Sequence, residues 1–256
     1  MLSFWSDDYT TSGGYARALL SHVCDNLRMP AGSIRARVRA EMLAEIKAVA
    51  RRHLATDGAN LSLRAVARDM GMVSSALYRY YASRDELLTA LIVDAYNALG
   101  DAVEGADAAV TDRGDVRGRW LACCHAVRDW ALAEPAEYAL IFGSPVPGYA
   151  APTETVLAAR RTPLALIRVA MDASAAGGRP RIGDVPAAVA PDLATVRDAL
   201  GVELPDDVLL AGSYAWIHLF GAVSFELFGQ LNNTITARRE YFEHQMTAVG
   251  EQFLGV

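Results

Sequence analysis

Strand patterning is missing from this 256-residue chain: no stretch alternates apolar and polar residues with a period of two, and no Asn-Gly hairpin signal occurs. That excludes a sheet-based fold. Cysteine is scarce, with three residues at Cys24, Cys123 and Cys124. They make neither an even disulfide framework nor a C-x-x-C metal or redox pair. Adjacent Cys123 and Cys124 are expected to be small apolar fillers on a buried helix. No run reaches the roughly 18 to 20 uninterrupted apolar residues of a membrane span, and the N-terminus lacks a basic segment followed by a long apolar one. The chain therefore reads as cytoplasmic. No internal repeat is present.

Enzyme signatures are also missing. There is no G-x-S-x-G, phosphate loop, H-E-x-x-H or G-x-G-x-x-G pattern. A small helical enzyme using Cys123 or Cys124 with His125 is the alternative that stays closest to the residues. Neighbours on a helix point about 100° apart, so Cys124 and His125 would not face one another as a nucleophile and base must. No catalytic residue, cofactor or metal is expected.

What the chain does have is a helical, globular composition, with 52% hydrophobic and 21% charged residues. Its formal net charge of −6 would by itself argue against a nucleic-acid partner. The distribution argues otherwise. From Arg35 to Arg84 there are ten basic and four acidic residues, a balance of +6, which leaves −12 for the remainder. Lys47 is the single lysine against 23 arginines. A small basic module is thus joined to a larger acidic body.

The periodicity predicts an all-α protein. Residues 1–34 hold two turn-rich stretches, "TTSGGY" and "RMPAGS", around a short helix near Tyr15 to Leu27, and are expected to be an extension. Ile34, Val38, Met42, Ile46, Val49, Ala50 and Leu54 outline an amphipathic helix ending near "TDG". Ser62 is placed to cap a short helix over "LRAVARD", with Gly71 supplying the turn after it. A second short helix is expected from Ser74 to Tyr80, with Val73, Leu77 and Tyr81 on its buried face. Ser83 and Glu86 then form a capping box at the start of a long helix. Further helices are expected near 115–133, 136–142, 153–174, 192–200, 205–231 and 236–254. "FGSPVPGYAAP" reads as a turn region and "ASAAGGRPRIGDVPAAVAP" as a flexible loop.

Three of the ten tyrosines, Tyr78, Tyr80 and Tyr81, fall in "RDMGMVSSALYRYYASRDELLTAL". With Leu77 and Tyr81 turned inward, Ser74, Ser75, Tyr78 and Arg79 point outward, and Tyr80 stands at the helix end. These are donors and acceptors suited to a major groove and its phosphates. Arg84 adds a cation beside the free amides of the next helix. Two short helices around a glycine turn, packed on a longer one, are the parts of a helix-turn-helix.

The sequence "SLRAVARDMGMVSSALYRYYASRDELLTAL" closely resembles the DNA-binding helix-turn-helix of the tetracycline-repressor family of transcriptional regulators. The resemblance covers about residues 35 to 91. It implies that Arg64, Ser74, Ser75 and Arg79 lie where family members read base edges, and that Tyr78, Tyr80 and Arg84 lie where they grip phosphates; Ser62 is counted with this DNA-facing set. The family commonly has histidine, phenylalanine and lysine where this chain has Tyr80, Tyr81 and Arg84.

Three parts follow: an extension over 1–34, a DNA-binding part over 35–88, and an effector-binding and dimerisation part over 89–256. The resemblance implies a homodimer through the last two helices, near 205–231 and 236–254, that binds palindromic double-stranded operator DNA and is released by a small apolar effector. The residues agree, because Trp216, Phe220, Val223 and Leu227 share one face while Gly212, Gly221, Ala222 and Ser224 permit close helix approach. "YALIFGSPVPGY" and "AWIHLFGAVSFEL" resemble a C-terminal subgroup named for a Trp-His-Gly signature, although Phe220, not a histidine, precedes Gly221. An effector is expected among Trp120, Cys124, Val127, Trp130, Tyr138, Phe142, Met171, Trp216 and Phe220. A helix-turn-helix serving only as a scaffold for protein contacts is the remaining alternative.

Overall fold

A computed structural model of the chain describes residues 31–58 and 61–255, so the helix expected near Tyr15 to Leu27 lies outside the described residues. Among them every regular element is a helix: α1 (Ala31–Asp57), α2 (Leu63–Asp69), α3 (Ser74–Leu77), α4 (Arg84–Ala109), α5 (Val116–Ala133), α6 (Pro135–Phe142), α7 (Glu154–Ala159), α8 (Arg161–Ala175), α9 (Ala190–Leu200), α10 (Asp206–Leu227) and α11 (Arg238–Phe253). The chain forms two compact units divided between Ala48 and Val49, inside α1. In the first unit α1 exposes Ile34 and Val38 and buries Ile46. In the second, Val49, Ala50 and Leu54 continue α1 as a buried stripe.

The turn after α2 closes on two crossed backbone bonds. Gly71 takes φ +65, its N–H reaches the Arg68 carbonyl, and the Met72 N–H reaches back to Ala67 at 2.8 Å. This crossed pair satisfies carbonyls the helix leaves open, and the positive φ favours glycine. At α4, Ser83 Oγ accepts from the Glu86 N–H at 3.1 Å, while the Glu86 carboxylate takes the Ala82 N–H. The capping box is present, with its return bond one residue earlier than the simplest form.

Three local expectations need correcting. Ser62 occupies the cap position of α2, but its hydroxyl makes no capping bond. Val73 is 70% exposed. It stands one residue before α3 in extended backbone, so it does not share the inward face of Leu77 and Tyr81. The single helix expected over 153–174 is two, α7 and α8, broken at Arg160. Pro163, lacking an N–H, cannot carry the ladder bond that would join them.

The body is built around α4, α5, α8, α10 and α11, whose apolar faces share one core. Trp120 on α5 is buried, and its indole N–H donates to the Met246 carbonyl on α11 at 2.7 Å. Gly250 makes this approach possible, since a Cβ there would lie 2.9 Å from the Trp120 ring. The segment expected as a flexible loop is irregular from 176 to 189 but tied down: the Arg181 N–H donates to Gln252, and Ile182, Val185 and Val189 pack on the core.

Helix α10 is long and apolar enough to cross a membrane by length and composition. One face of it packs in the core. Leu219 and Val223 are buried, and Glu226 receives both arms of the buried Arg128 guanidinium at 2.6 and 2.7 Å.

Candidate nucleic-acid interface and apolar cavity

Of the eight side chains expected to face DNA, Ser62, Arg64, Ser75, Tyr78 and Arg79 are exposed, while Ser74, Tyr80 and Arg84 are half-buried. A surface groove beside Ser83 brings four of them together: Ser62, Arg64, Tyr78 and Arg84. Ser74, Ser75, Arg79 and Tyr80 do not line that groove and sit on or just after α3. Leu77 is wholly buried and Tyr81 nearly so, which anchors the short helix and turns the polar residues out. Burial, with Asp94 and Glu86 nearby, pushes the Tyr81 phenol above its ordinary pKa, so it stays protonated.

Arg84 has a second task. Its Nε donates to the Leu61 carbonyl at 3.1 Å, and Nη1 lies 3.5 Å from Asp85. The first bond ties the start of α4 to the chain just before α2, and so holds the guanidinium beside the groove. Behind α2, His53 lies 2.7 Å from Asp69.

Cys123 and Cys124 belong to the core, as expected. Cys123 and Cys124 are fully buried; burial pushes the Cys123 thiol up to about 12 and the Cys124 thiol well above the ordinary range. Neither supplies a thiolate. His125 has a different neighbourhood, with its ring against Phe242 and Nε2 3.6 Å from Glu243. Among the described residues no group of three or more His, Cys, Asp or Glu could hold a metal.

The acidic body contains an apolar cavity of about 190 Å³ between α8, α9 and α10. Of the nine residues expected around an effector, Trp120 and Trp216 line it. Tyr138, Phe142 and Phe220 form a ring cluster running on to Trp216, with centroids 4.4 Å apart for Phe142 and Phe220 and 4.2 Å for Trp216 and Phe220. Cys124 and Val127 are buried in the core, Trp130 packs on its edge, and Met171 is exposed beside Glu203 and Pro205. Sequence reasoning missed the other walls, including Leu166, Val196, Leu200, Leu209 and Ser213. Large aromatics stand out in the sequence, whereas aliphatic residues and a Gly-Ser pair read simply as helix packing.

The comparisons with known proteins agree with this geometry. Residues 46–91 match the model of bacterial regulatory proteins of the tetR family, and residues 120–249 match that of the tetracyclin repressor-like C-terminal domain. The chain belongs to the tetracycline-repressor family. HTH-type transcriptional regulators of Mycobacterium tuberculosis and Mycobacterium bovis are each 42% identical to it over 198 residues, covering 75% of this chain and 83% of theirs. The crystal structure of regulatory protein SCO4313 is 35% identical over 84% of this chain and 97% of that one, with a TM-score of 0.70. The TetR-family regulator PfmR of Thermus thermophilus shares the fold, with 15% identity, 80% of this chain and 96% of that one covered, and a TM-score of 0.52. This TetR-family chain is therefore a helix-turn-helix transcriptional regulator and not an enzyme, with the two-part helical architecture of its relatives.

Proposed function

We propose that the chain is an effector-responsive repressor that binds a palindromic operator as a homodimer in the cytoplasm. Residues 35–88 act as the reading head and 89–256 as the effector-binding and dimerising body. The observation that carries the reading is the exposure of Arg64, Ser75, Tyr78 and Arg79 around a helix held by buried Leu77 and Tyr81. Arg64, Ser74, Ser75 and Arg79 read base edges, while Tyr78, Tyr80 and Arg84 hold phosphates, with Ser62 beside them. Dimerisation through α10 and α11 is supported by their apolar surface, where Ile217 is 64% and Phe225 57% exposed, flanked by Tyr214, Phe228 and Tyr241. Among the described residues nothing comes within 4 Å of a Cβ placed on Gly212 or Gly221, which leaves the α10 surface open at Gly221 for a second copy. An effector shifts the balance between DNA-compatible and incompatible states only as far as its affinity for the two differs.

A footprint with purified protein over the DNA flanking its own coding region tests this reading. A protected inverted repeat supports it; binding that shows no sequence preference at any salt concentration refutes it.

A further inference from the structure

The cavity in the body narrows the class of small apolar molecule it can hold. We infer that the space between α8, α9 and α10 is a binding site for a small, uncharged, single-ring molecule carrying at most one hydroxyl group. The inference rests on the effector reading only for its regulatory consequence.

Size comes first. A wholly apolar cavity of about 150 Å³ stays dry and takes up benzene, so one of about 190 Å³ suits a ring with a short substituent. Charge comes second. The walls are hydrophobic, from Leu166, Val208 and Leu209 to the rings of Trp120 and Trp216, and among the described residues no charged side chain lines them. A carboxylate or ammonium group would enter without a partner and lose its hydration. Polarity comes third. Among the described residues Ser213 is the one side-chain hydroxyl in the wall, and its proton is committed to the Leu210 carbonyl at 2.7 Å. The Trp120 N–H is likewise committed, to Met246. Ser213 Oγ therefore offers acceptor capacity, which a ligand hydroxyl can use as donor and a bare carbonyl cannot.

The site has a mouth. Val196 on α9 lines the cavity and is also 44% exposed, so entry lies beside this helix. Among the described residues, Leu193 is the one side chain of α9 that is buried, and Arg197 ties the helix to α10 through the Leu204 carbonyl and Asp206. A helix with so small an anchor is the wall most able to yield to an entering ring.

The test uses the full-length protein with toluene, benzyl alcohol and benzoate as probes, read by thermal melting and by the fluorescence of Trp120 and Trp216. Toluene and benzyl alcohol raise Tm by roughly 5 to 10 °C at about 100-fold over Kd and alter the indole emission, while benzoate does neither. Gly212→Leu fills the space, since a Cβ at Gly212 meets nothing within 4 Å, and replaces a helix-interior glycine with a better helix former. It abolishes both responses; Gly212→Ala weakens them by an intermediate factor and serves if the larger side chain disturbs folding. Ser213→Ala weakens benzyl alcohol several-fold and leaves toluene unchanged. Absence of any response to the neutral probes, a benzoate response equal to that of benzyl alcohol, or responses that survive in both Gly212 variants overturns the inference. Operator binding is measured in parallel: probes that bind in a Gly212-sensitive way without altering DNA affinity uphold the cavity assignment and count against the effector reading alone.

Discussion

Arg51 donates from Nε to Glu137 at 2.5 Å and from Nη2 to Asp94 at 2.8 Å, so one guanidinium in the last turns of α1 grips both α4 and α6. Glu137 is buried, and burial pushes its carboxyl above the ordinary range even though Arg51 draws it back. This carboxylate is tolerated in the interior because the arginine meets it. Arg51→Ala therefore leaves a buried carboxylate without its main partner and destabilises the protein by about 1 to 3 kcal/mol. Glu137→Gln keeps an acceptor and removes the burial cost of the charge, so its effect is smaller. A double-mutant cycle from urea midpoints checks this, since a coupling near zero would mean the pair contributes no mutual stabilisation.

The residues proposed to face DNA separate by what their loss does to salt dependence. Arg64→Ala relaxes sequence preference at one operator position, at about 1 to 3 kcal/mol, and leaves the slope of log affinity against log salt little changed. Arg84→Ala lowers affinity for all sequences and reduces that slope by about one, while Arg84→Lys restores it. Because Arg84 also bonds the Leu61 carbonyl, melting is followed on the same samples. Titrations at four salt concentrations decide the matter; identical slopes for parent and Arg84→Ala would remove Arg84 from the phosphate contacts.

Much of this fold could be read from spacing, and the failures share a cause. Ser83, Glu86 and Gly71 announce helix ends through short-range chemistry, and the structure has both the cap and the turn. Counting four back from Leu77 puts Val73 on the buried face, but the count assumes a helix that has not yet begun at residue 73. Ile34 and Val38 continue the apolar stripe of α1 in register yet lie on the surface, because periodicity shows that a face is apolar and not whether anything covers it. The cavity was hidden for a related reason. A void is made by residues too small or too distant to fill it, and Gly212 and Ser213 look in sequence like any close-packed helix pair.

Stability should depend on acid through Asp107. Burial alone would raise its carboxyl, but hydrogen bonds from Arg119 at 2.7 Å and Arg113 at 2.6 Å hold it below the ordinary 3.8. A carboxyl depressed in the folded state adds stability that is complete above the unfolded value and is lost as pH falls through the folded one. The Asp107 contribution is therefore present at neutral pH and disappears as pH drops below about 4. Asp107→Asn should lower the urea midpoint at pH 7 and flatten its fall below pH 4. An unchanged acid limb would mean that the pairing contributes nothing to folding.

The contact between Trp120 and Gly250 makes the sharpest packing prediction. The indole lies so close to the α11 backbone that a single methyl at position 250 would sit 2.9 Å from Cδ1 and 3.1 Å from Nε1. Alanine is ordinarily the better residue inside a helix, worth about 0.5 to 1 kcal/mol over glycine. Here the steric cost is the larger effect, because Trp120 is fully buried and can shift only by disturbing its hydrogen bond to Met246. Gly250→Ala should destabilise by about 1 to 3 kcal/mol in spite of its higher helix propensity. Trp120→Phe in the same background relieves the clash by removing the larger ring. If Gly250→Ala melts above the parent, helix propensity outweighs packing at this position and the indole is less constrained than its surroundings imply.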